Sequence, residues 1–245
     1  MFRIHMRIVV AFVGDEGSSA LHSALRSAGC YSPGFEPLDW CDKYRSEKAA
    51  SHSDEDILRF LFGMPTPVPE YMIEGRVVSA DAYREKISGY DHICVKWRVP
   101  PESTHALSLA THVVVPFRFS TDRVMSLYVH AIPDLYSKLS QFARAESGSA
   151  APAKTLSLDR ELLAACIREH SEYVSGHAVR VQRYRKRCLT VVEFDYAEFD
   201  VDGLCQTLGL SRGTPEYRKK SFSYVDMFPD DIAAEINSSL SKIPL

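Results

Sequence analysis

Ile8 to Val13 is an unbroken apolar run, as a strand covered on both faces requires, and it breaks at a loop containing Gly14 and Gly17. Ser18 and Ser19 then open an amphipathic helix, so residues 6–28 read as strand, tight turn and helix. The prolines and glycine of residues 31–40 predict an extended connection, and residues 54–63 a short helix with an acidic N-terminus. The extended PTPVP run follows, and residues 91–99 predict a second strand. A third strand covers Val113 to Phe119, with Ser120 or Thr121 capping a helix expected to run to about Arg144. Residues 146–154 have linker composition, and residues 157–184 carry the apolar spacing of a long helix. Residues 188–194 predict another buried strand, Phe199 to Leu210 a helix stopping at Gly209, and Asp230 to Leu240 a last helix. Strands alternating with helices predict a three-layer α/β sandwich around a central, mainly parallel sheet, in one domain over residues 1–245.

Composition narrows the class. A chain of 245 residues with 45% hydrophobic content buries a sizeable core, and a net charge of −3 argues against a surface dedicated to nucleic acid. The basic run at residues 183–187 reads as a solvated helix end. Cys30, Cys41, Cys94, Cys166, Cys188 and Cys205 form no CxxC pair, so reduced thiols are expected and no metal site is predicted. The N-terminal apolar stretch is too short to span a bilayer, and a soluble, cytoplasmic chain is expected.

Candidate chemistry sits at strand ends, where open α/β sheets bind ligands. The first amides of a helix have no partner within it, so Gly14, Gly17, Ser18 and Ser19 form a candidate cradle for phosphate or sulfate. Arg118 ends a strand and Ser126 follows eight residues on, placed to hold a second anionic group; the plain alternative is an exposed ion pair for Arg118 and an ordinary helix serine. Gly14 is not followed by the glycine-lysine-serine of a P-loop ATPase, which weighs against a phosphotransferase.

Together these segments resemble the sulfotransferase family, whose members move a sulfuryl group from 3′-phosphoadenosine 5′-phosphosulfate to an acceptor hydroxyl and release 3′-phosphoadenosine 5′-phosphate. GDEGSSAL (residues 14–21) is similar to the loop that holds the 5′-phosphosulfate, and RFSTDRVMS, from Arg118 to Ser126, to the motif that holds the 3′-phosphate. VVEFDYAEFDVDGLCQTLGL (residues 191–210) resembles a later family strand and helix, and Arg218, Lys219 and Lys220 lie in a basic tail like the one that closes over the nucleotide. The resemblance implies a P-loop nucleotide-kinase-like fold, with residues 41–90 carrying the acceptor pocket for a small molecule or glycan. It further implies Glu36 as general base and Lys96 near the transferred group; His22, one turn into the helix, is the second candidate base, with a packed histidine as the alternative. The aromatic residues Tyr31, Phe35, Trp40, Phe60, Phe62 and Tyr71 fall in or beside that pocket region. Oligomeric state is left open, a homodimer included.

One departure stands out. Asp15 occupies a loop position where the family commonly has a lysine or arginine, and Glu16 follows it. A carboxylate 4 Å from a bound anion is repelled by about 1 kcal/mol in water and about 4 kcal/mol at an effective dielectric of 20. Donor binding therefore calls either for the two carboxylates to point away or for a compensating cation, for which Lys96 and Arg98 at the neighbouring strand end are the candidates. With neither, the chain would be a non-catalytic relative whose acidic loop has lost its donor.

Overall fold

The computed structural model describes residues 6–14, 17–34, 37–38, 52–135, 158–211, 228 and 230–242. The chain divides into two compact units, Met1–Phe117 with Arg180–Arg218, and Arg118–Val179 with Lys219–Leu245.

The first unit is built on a parallel four-stranded sheet. Its strands are β1 (Met6–Ala11), β4 (His92–Trp97), β5 (His112–Phe117) and β6 (Thr190–Asp195), in the order β4-β1-β5-β6. A separate antiparallel hairpin pairs β2 (Glu70–Ile73) with β3 (Arg76–Ser79). The strand period of two splits the apolar runs between the two sheet faces. Val9, Ala11, Ile93, Val95, Trp97, Val113 and Val115 join one buried cluster, which includes Ile57, Leu58 and Phe60 of α2 (Asp54–Leu61). Ile8, Val10, Cys94, Val114 and Phe194 point the other way. They pack on Leu21 and Leu25 of α1 (Ser18–Ser27), and on Leu204, Cys205 and Leu208 from a helix that begins at Val201. Helices thus flank a central parallel sheet, as the alternating pattern requires.

The expected helix with an acidic N-terminus is α2, and the structure adds a reciprocal capping box between Ser53 and Asp56 that was not anticipated. Gly209 adopts the left-handed conformation that ends the Val201–Leu208 helix. Elsewhere the structure corrects the reading. β1 stops at Ala11, so Phe12 and Val13 lie beyond the strand. Among residues 64–90 the hairpin and α3 (Ala80–Ile87) were not anticipated, because each strand has only four residues and offers almost no periodicity. The signal present was Glu74-Gly75, both at positive φ, as the favoured two-residue hairpin turn demands.

The second unit is helical. It holds α4 (Thr121–His130), the stretch of α5 (Arg160–Arg185) up to Val179, and α7 (Asp230–Leu240); α6 is the Val201–Leu208 helix of the first unit. Its core joins Val124, Met125 and Val129 to Leu163 and Cys166 and to Phe228, Ile232 and Ile236. α4 ends at His130, where the helix expected to run to about Arg144 is broken because Pro133 disfavours a helical conformation at Ile132; residues 133–135 are helical again, and residues 136–144 lie outside the described residues. The linker at residues 146–154 lies outside the described residues.

Candidate anion cradle

The cradle is assembled in the first unit at the carboxyl end of β1. Beyond Ala11, the Phe12 amide donates to the Trp97 carbonyl at 3.1 Å, which carries the chain one more residue along β4 before it turns at Gly14. Gly17 caps α1 in the left-handed region, at φ 81° and ψ 18°. Its carbonyl accepts from the amides of Ala20 at 3.0 Å and Leu21 at 3.2 Å, so those of Ser18 and Ser19 are the ones the helix leaves over. No acidic side chain occupies the first turn. Ser18 is buried and Ser19 exposed, so the cradle opens to solvent at Ser19.

Glycine is required at position 17 on two counts. Only glycine takes this conformation at little cost, and a Cβ there would lie 2.1 Å from ring carbons of Tyr196. Tyr196 follows β6, is buried, and donates its amide to the carbonyl of Phe117 at 2.9 Å. The Tyr196–Gly17 contact was not anticipated, since nothing local in the sequence signals it.

Lys96 is the second element. It lies inside β4 in register with Val10, rather than after a strand, and its side chain is 2% exposed. The strand period turns it toward α1, where Nζ donates to Ser19 Oγ at 3.0 Å. The ammonium also stands 4.5 Å from the centre of the Phe12 ring, and the Arg98 guanidinium 5.4 Å from it. A cation therefore meets the positive end of α1 at a serine hydroxyl, an arrangement whose field favours an anion at that point.

His22 lies deeper in α1 and is 3% exposed. Its Nε2 is hydrogen-bonded to Ser32 Oγ at 2.7 Å. Burial, with the charges of Lys96 and Arg26, lowers its pKa to about 4, so the ring is neutral at physiological pH. A neutral imidazole suits a base, but here Nε2 is engaged by Ser32, the geometry of a packed histidine. Glu36, Asp15, Glu16, Phe35, Trp40, Arg218, Lys219 and Lys220 lie outside the described residues. Tyr31, Phe60, Phe62 and Tyr71 are all at most 7% exposed and belong to the core.

Arg118 and Ser126 belong to the second unit. The Arg118 guanidinium forms an ion pair with the Asp122 carboxylate, four residues on. Ser126 is buried, with Oγ 3.4 Å from His130 Nδ1, so Asp122, Ser126 and His130 follow one another at four-residue spacing along one face of α4. A phosphate on Arg118 would compete with Asp122 for it. Nearby, Arg123 is fully buried over the Tyr173 ring at 3.9 Å, with Nη1 3.4 Å from His170 Nδ1. Burial, helped by Arg123, lowers the pKa of His170 to about 4.

A cleft of about 190 Å³ between β6 and α6 is lined by Glu193, Asp195, Glu198 and Asp200, and its charge is wrong for an anionic donor. Among the described residues no group of three or more His, Cys, Asp or Glu side chains is placed to hold a metal ion, and no helix is long and apolar enough to cross a membrane. No protein-family model and no curated protein matches the chain.

Proposed function

We propose that the chain is a sulfotransferase using 3′-phosphoadenosine 5′-phosphosulfate, with the cradle at Gly14, Gly17, Ser18 and Ser19 as the site of the 5′-phosphosulfate. The observation that carries this reading is Lys96 Nζ at 3.0 Å from Ser19 Oγ. It supplies, from the neighbouring strand, the positive charge that an acidic loop needs before it can hold an anionic donor. In the reaction, an acceptor hydroxyl oxygen attacks sulfur and gives its proton to a carboxylate, a role the resemblance assigns to Glu36. The bond from sulfur to the bridging phosphate oxygen breaks, and the growing charge on that oxygen meets Lys96 and the first amides of α1. Arg118 and Ser126 take the 3′-phosphate, and Arg218 to Lys220 the nucleotide, on the resemblance alone. The acceptor is a small molecule or glycan hydroxyl. The nucleotide-kinase-like type of the fold belongs to the same reading.

A second reading is favoured by the Arg118–Asp122 pair. An arginine already neutralised by its own helix is a poor grip for a phosphate, and the chain would then be a non-catalytic relative. Thermal shift with 3′-phosphoadenosine 5′-phosphate separates the two. A sulfotransferase gains about 2.7 kcal/mol at one hundred times the Kd, and Arg118→Ala removes most of that gain; no shift at millimolar nucleotide supports the non-catalytic relative. Stabilisation by ATP with magnesium and not by the bisphosphate would instead point to phosphoryl transfer.

A further inference from the structure

We infer that Tyr196 is a positioning residue for the anion cradle: its ring, seated on Gly17, holds the turn that aims the first amides of α1. The inference rests on the cradle reading above. A left-handed Gly17 followed by helical Ser18 sets successive N–H groups on one concave side, the backbone arrangement that receives anions. Glycine in a free loop samples many other conformations, so the concavity persists only if something fixes it. Tyr196 does so by contact, since ring carbons that would lie 2.1 Å from a Cβ press directly on the glycine Cα. The ring is itself anchored. It is 7% exposed, stands edge-on to Phe199 at 5.4 Å between centroids, and its residue's amide donates to Phe117 at the end of β5. In the sheet β5 lies between β1 and β6, so the turn after β6 reaches across one strand to clamp the loop after another. Tyr196 touches no reacting atom in this role; it reduces the ordering that an anion would otherwise have to impose.

The test is isothermal titration of the full chain with inorganic pyrophosphate, comparing wild type, Tyr196→Phe, Tyr196→Ala and Tyr196→Leu, with the melting temperature of each recorded. Tyr196→Phe is expected to bind within about twofold of wild type, because the flat ring is kept, whereas Ala and Leu weaken binding by about tenfold or more. If Ala does not fold, Leu carries the comparison. A variant that melts lower yet binds pyrophosphate like wild type overturns the inference and leaves the cradle standing. Loss of binding in Tyr196→Phe overturns it too, since the hydroxyl and not the ring would then be responsible. A folded wild type that binds no pyrophosphate brings down the cradle reading and this inference with it.

Discussion

Acid should unfold this protein through His22. The side chain is 3% exposed and its pKa is lowered from 6.5 to about 4, first by burial and then by Lys96 and Arg26. The unfolded chain therefore binds a proton that the folded chain refuses, and stability falls as pH falls through this window. The contribution is fully present above about pH 6.5. At 1.36 kcal/mol per tenfold change in proton affinity, about 2 kcal/mol is lost by pH 5 and about 3 kcal/mol by pH 4. His22→Gln keeps a hydrogen-bonding group for Ser32 Oγ, now at 2.7 Å from Nε2, but cannot titrate. Urea denaturation of both proteins at half-unit steps from pH 7.5 to 4 measures the difference directly. Gln costs some packing at neutral pH, so its curve starts lower; the gap then narrows, and at pH 4 the variant equals or exceeds wild type. Two curves that keep a constant separation over the whole range would refute the reasoning, because His22 would then take up its proton equally in both states.

Other expectations follow from the same contacts. His170, 2% exposed beside Arg123, has its pKa lowered to about 4 as well, so His170→Gln should flatten acid unfolding of the second unit, read by Tyr173 fluorescence quenching or by amide exchange. Gly17→Ala should lower stability by about 2 kcal/mol or more in chemical denaturation, combining left-handed strain with the Tyr196 overlap; an unchanged midpoint would mean the turn differs from the one described. Lys96→Met should lose the pyrophosphate response in titration, with its melting temperature recorded to show that the variant is folded; a folded variant that still binds would refute the role of the ammonium. Cys30, Cys94, Cys166, Cys188 and Cys205 are buried thiols, and burial raises the Cys30 thiol to about 12. They should resist a thiol reagent in native buffer at pH 8 and react together in urea.

Where the sequence was legible, the signal was local. The apolar runs of β1, β4, β5 and β6 alternate with helices whose local signals, the acidic start of α2 and the stop at Gly209 among them, lie within a few residues, and that pattern suffices for a parallel sheet covered on both sides. The Gly17-Ser18-Ser19 turn is equally local. An ion pair is the plain reading of an arginine at a strand end, and the structure pairs Arg118 with Asp122, four residues on in the first turn of α4. The hairpin at residues 70–79 was harder, because four-residue strands carry almost no period and only the Glu74-Gly75 turn marks them.

Composition and pattern alone determined that this chain buries an α/β core and that one of its strand-to-helix turns carries the glycines and serines proposed as an anion cradle. Tertiary structure decided what surrounds that turn. Lys96 reaches Ser19 across 77 positions only because β4 lies beside β1 in a register that turns the lysine toward α1. Tyr196 covers Gly17 only because β6 ends two strands away on the same side of a parallel sheet. Side chains within a turn of one another announce themselves through periodicity, whereas partners brought together by strand order and register leave no mark in the local sequence, and the charge and shape of this cradle depend on partners of that second kind.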